Sequence, residues 1–241
     1  MERQTGTMGK ILGSLPAFIR YNASHVFAGK FVYFLALAVA LFLFISIIHV
    51  LNENSPPGAS TIYFFLFTPG VLLLLYPSAY SIQSDIDARM IETLFGIPDY
   101  RYKVWLVRYL TQYLVIAALL TGLGLFCRFA MADFPLGTMI YHLMFPIVFL
   151  SSVGFMVSTL TRSGNGTAVV MVIVILFFWI AHEPLEGSRW DLFHNPFAQV
   201  DAFEVFAWEE TTLYNRIYLI VGAALATMFA LLRLQKREKF V

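Results

Sequence analysis

From Phe31 to Leu51 the chain reads FVYFLALAVALFLFISIIHVL, without one Asp, Glu, Lys or Arg. A helix needs ~20 apolar residues to cross the ~30 Å of hydrocarbon in a bilayer, and this run supplies them. Similar runs recur at Ile62 to Ile82, Tyr109 to Cys127, Gly137 to Leu160, Ala168 to Ala181 and Arg216 to Leu234. The expected fold is therefore an all-α integral membrane protein with six transmembrane helices. The composition agrees: 59% of the 241 residues are hydrophobic and 13% charged, well outside the range of a soluble domain of this length. The fifth run is short, and must borrow from Ser163 to Thr167 or lie in thin bilayer. Pro69-Gly70, Pro77 and Pro146 predict kinks in the second and fourth spans. No repeat of fixed period divides the chain, so residues 1–241 are read as one membrane domain.

Residues 1–30 scatter Arg3, Lys10, Arg20 and Lys30 among Ile11, Leu12, Leu15, Phe18 and Ile19. That mixture predicts an amphipathic elbow helix on the membrane surface, split or bent at Pro16. No cleavage site follows a short apolar core, so the first span is expected to stay as an anchor.

One long charged segment lies between two apolar spans: Ser84 to Arg108, SDIDARMIETLFGIPDYRYKVWLVR. Ser84 and Asp87 have the form of a capping box, with Asp85 and Asp87 placed to favour a helix's first turn. Ile86, Met90 and Leu94, with Ile91 and Phe95 beside them, make an apolar face; Asp85, Arg89, Glu92 and Thr93 fall opposite. Gly96 and Pro98 predict the end near Phe95. An amphipathic helix over residues 84–98 follows, which could be a linker or a docking element.

With the N-terminus in the cytoplasm, only Arg128, Arg189 and Arg216 fall outside, and every other Lys and Arg falls inside. This bias predicts both termini, and the 84–98 segment, on the cytoplasmic side of a cell (inner) membrane. The outer loop from His182 to Thr212 is acidic yet rich in aromatics, among them Trp190, Phe193, Phe197, Phe203, Phe206 and Trp208. Short helices at the outer interface and an ordinary packed loop are both consistent with it. A net charge of +1 gives no reason to expect a nucleic-acid partner.

The spans hold almost no ionisable groups beyond His49 and His142, so ion-coupled carriage is disfavoured. Intramembrane hydrolase patterns also fail. Ser151-Ser152-Val153-Gly154 lacks the preceding glycine of a rhomboid nucleophile, and the sixth span has no histidine. In His182-Glu183-Pro184-Leu185-Glu186, Glu186 stands where a zinc protease needs its second histidine, and Pro184 is expected to break the turn. Glu209-Glu210 lie at an outer surface, at the wrong spacing from Arg216 for the paired-glutamate membrane proteases. The lone Cys127 excludes an internal disulfide, and no Gly-x-x-x-x-Gly-Lys-Ser/Thr loop is present. A chain of this kind that used ATP would need another chain to bind it.

From Glu92 the order Glu-x-Leu-x-x-x-Pro-x-x-Arg is formed by Glu92, Leu94, Pro98 and Arg101, with acidic Asp85 and Asp87 before it and Arg108 after it. This resembles the permease subunits of type-2 ABC transporters, as does the sequence of elbow, six spans, aromatic outer loop and short basic tail. Arg89-Met90 stand where that family often has Gly-Thr, Val107 where it has Gly, and Arg108 where it has Lys. The resemblance implies a non-catalytic membrane subunit of an ATP-driven exporter. Residues 85–98 would be a coupling helix seated on cytoplasmic ABC ATPase subunits, which carry the ATP and Mg²⁺; this chain would hold no cofactor. In that reading Ile86, Met90, Ile91, Leu94 and Phe95 pack, and Asp85, Asp87, Arg89, Glu92 and Arg101 set register. A second permease copy or a paralogue is implied as partner, beside membrane lipid and an outer-face partner that stays open. Ala36-x-x-x-Ala40 or Gly222-x-x-x-Ala226 could serve close helix contact. The apolar spans favour an apolar or amphipathic cargo. A membrane scaffold recruiting a cytoplasmic partner without transport is the alternative.

Overall fold

A computed structural model describes residues 31–52, 55–87 and 100–234. Among them are six helices: α1 (Phe31–Asn52), α2 (Ala59–Asp87), α3 (Tyr100–Ala130), α4 (Leu136–Thr161), α5 (Gly164–Leu185) and α6 (Val205–Arg233). Each is long and apolar enough to cross a membrane, and no strand occurs among the described residues. The described residues are thus all-helical, and the chain is a multi-pass membrane protein. The expected elbow over residues 1–30 lies outside the described residues.

α1 and α4 match the apolar runs to within a residue at either end, because in these two the hydrophobic stretch is the whole helix. α5 reaches membrane-spanning length by taking in Gly164 to Thr167, with Ser163 as its N-cap accepting from Gly166 N at 3.3 Å. Pro184 does not break α5; it sits in the last turn, and the helix ends one residue later. α3 is longer than expected at both ends, and α6 begins at Val205 instead of Arg216. The expected start at Ser84 is also corrected. α2 runs unbroken through Asp87, so the backbone N–H groups after Ser84 already have partners upstream and need no cap.

α4 is the hub, packing against α2, α3, α5 and α6, with 61% of its apolar window buried against 6% for α5. Met139, Leu143, Ile147 and Leu150 recur on its buried face at helical spacing. Small residues set the approach distances. A Cβ on Gly154 would come within 2.8 Å of Ser78 Cβ, joining α4 to α2, and one on Gly222 within 2.8 Å of Phe149, joining α6 to α4. Lipid tails are as apolar as these side chains, so such close van der Waals fit is what drives the helices together. Gly222 and the buried Ala226 thus serve contact within the chain, whereas Ala36 and Ala40 face outward.

Candidate functional site

Of the residues expected to dock a partner, Asp85, Ile86 and Asp87 end α2 and Arg101 lies in the first turn of α3. Arg89, Met90, Ile91, Glu92, Leu94, Phe95 and Pro98 lie outside the described residues. What surrounds that segment is well defined. Near the end of α2, Tyr80 Oη donates to Asn165 Oδ1 at 2.6 Å, and Gln83 Oε1 accepts from the backbone N–H of Gly164. α5 therefore has one of its unpaired N-terminal donors satisfied by α2. Only glycine fits there, since a Cβ on Gly164 would lie 2.3 Å from Tyr80 Cδ1. The turn between α4 and α5 is fixed by Arg162 in the left-handed region (φ 55°) and by Thr161 Oγ1 and Thr167 Oγ1 at 2.7 Å.

A small apolar cluster ties the other helices to the same end. Ile82 of α2 packs with Trp105 and Tyr109 of α3, Phe155 of α4, and Ala230 and Leu234 at the end of α6. Trp105 stacks on Phe155 at 5.4 Å, and the Arg108 guanidinium lies 4.8 Å from the Trp105 ring centre. Arg233 Nε donates to Thr159 O at 3.2 Å, satisfying one of the last carbonyls of α4. A displacement of α2 at this end is therefore felt by α3, α5 and α6 together.

The opposite end carries a buried polar cap. The turns after α5 fold back over the bundle instead of forming interfacial helices, and Leu192 and Phe193 sink among α2 and α5. Asp191, 2% exposed, accepts from Phe193 N at 2.9 Å, and His182 Nδ1 lies 3.0 Å from both of its oxygens. Burial raises the Asp191 pKa above the usual carboxylate value, against the lowering pull of the His182 hydrogen bond. Asn195 Nδ2 donates to Ser60 O and Oγ at 3.0 and 2.9 Å, pinning the loop to the head of α2. Asn215 Nδ2 donates to Asp191 O at 2.7 Å, pinning it to α6.

Arg216, 5% exposed, sits at the centre, donating to Asn215 Oδ1 at 3.0 Å, His194 O at 3.3 Å and His142 Nδ1 at 3.4 Å. His194 Nε2 lies 2.7 Å from Thr212 Oγ1, whose own proton goes to Trp208 O at 2.8 Å. His194 is thereby the donor, and Nδ1 is its unprotonated nitrogen. Burial first, then the Arg216 charge, then His142 hold the His194 pKa down at about 4. The spacing of these residues in the chain gave no warning of the cap. The one signal was the mixture of polar with large apolar residues in Trp190-Asp191-Leu192-Phe193-His194-Asn195. Among the described residues, no three His, Cys, Asp or Glu side chains gather where a metal could sit.

No protein-family profile, curated protein or solved structure matches this chain, and its own residues carry the functional reading.

Proposed function

We propose that this chain is the membrane-spanning, non-catalytic subunit of an ATP-driven exporter, working with a separate cytoplasmic ATPase and a second permease chain. The observation that carries the proposal is the joint at the end of α2. Tyr80 and Gln83 bind the head of α5 immediately before the segment that resembles a coupling helix. A push on residues 85–98 enters α2 and α3 directly, reaches α5 through Tyr80 and Gln83, and reaches α6 through Ile82 and Leu234. α4, held on four sides, is the natural pivot. Motion of this kind is rigid-body tilting of packed helices between two arrangements. Passage to the far side then requires the polar cap to part, at Asn195–Ser60 and Arg216–His194 among others. The apolar walls suit an apolar or amphipathic cargo.

The test is co-purification of the full chain with a phosphate-loop ATPase, in the parent and in a Leu94→Asp, Phe95→Asp variant. Charge on the packing face of a coupling helix should cost more than about 2 kcal/mol of docking and remove the ATPase while membrane insertion persists. Retention of the ATPase by the variant, or no ATPase with the parent, rejects the proposal. An ATPase that binds without nucleotide-dependent change in the spans favours the scaffold.

A further inference from the structure

α6 is longer than the membrane is thick. With Arg233 at one edge of the ~30 Å hydrocarbon core, Phe206 lies about 40 Å away along the helix, hence about 10 Å past the other edge, or about 8 Å at the ~20° tilt usual for spanning helices. The headgroup layer beyond that edge is about 5–7 Å deep, so Phe206 stands above it. One side of this extension is already engaged: Trp208 Nε1 donates to Asn195 O at 3.2 Å, and Thr212 and Asn215 follow it into the polar cap. Phe206 falls on the opposite side of the turn from Trp208 and is 78% exposed; Phe203, just before the helix, is 99% exposed. Two phenyl rings beside each other in water, rimmed by polar groups, mark a surface that another molecule covers.

The rim says what kind. Exposed Glu204, Glu209 and Glu210 surround the two rings. Among the described residues the ion pairs are Arg128 with Asp133 and His182 with Asp191, which leaves these three carboxylates without a cation. Glu209 and Glu210 flank Phe206 on α6, so the ring cannot enter the bilayer without carrying carboxylates in with it. A second copy of the chain fits no better. Its same end adds exposed Glu183, Glu186 and Asp201 against Arg189, and would set carboxylates against carboxylates. We propose that the head of α6 docks a separate protein on that side of the membrane, one whose contact surface is an apolar cleft for Phe203 and Phe206 rimmed by Lys and Arg. This surface lies at the far end from residues 84–108 and stands independently of any exporter role.

The test replaces Phe206 with photoreactive benzoylphenylalanine in the full chain, illuminated in the cells that make it. The expected product is an adduct with one protein, identified by mass spectrometry, whose crosslinked surface is net basic. That protein, purified and titrated onto the full chain in phosphatidylcholine nanodiscs, should bind about tenfold or more weakly when Glu209→Lys and Glu210→Lys are combined, and weaken as salt is raised. Phe203→Ser with Phe206→Ser should remove binding, and an unchanged thermal midpoint would show that these exposed substitutions leave the bundle folded. Crosslinking to lipid alone, to a second copy of this chain or to nothing overturns the inference. So does a captured protein whose affinity ignores the charge reversal.

Discussion

Burial keeps His194 neutral in the folded cap, with its pKa at about 4 against an ordinary value of 6.5. Between those values the unfolded chain binds a proton that the folded chain refuses, so stability rises with pH across that window. The contribution is fully present above pH 6.5 and is lost as pH falls toward 4, to the extent of about 3 kcal/mol. Asp191 acts in the opposite sense: its raised pKa means that the folded cap accepts a proton before the unfolded chain does, and acidification relieves part of its cost. A His194→Gln variant keeps a donor toward Thr212 but cannot titrate. Thermal unfolding of the purified full chain from pH 7.5 to 4.5 should show the parent losing stability faster than His194→Gln. Parallel slopes would mean that His194 takes up its proton in the fold as readily as in the unfolded chain.

At the scale of elements, α6 is where hydropathy and helix part company. The apolar run begins at Arg216, but the helix begins at Val205 and carries the exposed Glu209 and Glu210 above the hydrocarbon. Glu210→Pro removes a helical hydrogen bond and crowds the preceding turn, which in a helix interior costs about 3 kcal/mol or more. In a loop the same change is nearly neutral, so the denaturation midpoint of that variant separates the two. The same physics decides what could be read in advance. α1 and α4 were legible end to end because the bilayer demands an apolar run of their length, and nothing else about them matters for their bounds. Ser84 misled because a cap is a local pattern, and whether it caps depends on the three residues before it, which continue α2. The polar cap was illegible for another reason: Ser60, His142, Asp191, His194 and Arg216 come from four separate stretches, and only folding makes them neighbours. Of the docking residues, the structure describes only the helical frame on either side, at Asp87 and Tyr100.

The whole molecule has two unlike ends. One joins α2, α3, α4, α5 and α6 by the Ile82–Trp105–Phe155 cluster and the Tyr80 and Gln83 bonds; the other is closed by a buried network around Arg216. Six crossings put residue 100 at the first end and Glu209 at the second. Among the described residues, Arg101, Lys103, Arg108, Arg162 and Arg233 fall toward the first end and Arg128, Arg189 and Arg216 toward the second, and cations are retained on the cytoplasmic side. Single cysteines introduced by Tyr100→Cys and Glu209→Cys, in intact cells treated with a membrane-impermeant thiol reagent, should therefore label oppositely. The Glu209→Cys chain should react from outside and the Tyr100→Cys chain only after the membrane is opened, while the native Cys127, which is buried, stays silent in both. Labelling of the two from one side would remove the six-span crossing. The reverse pattern would keep the crossing but turn the molecule over, placing the Tyr80–Asn165 joint outside the cell, where no ATP-driven partner could push on it.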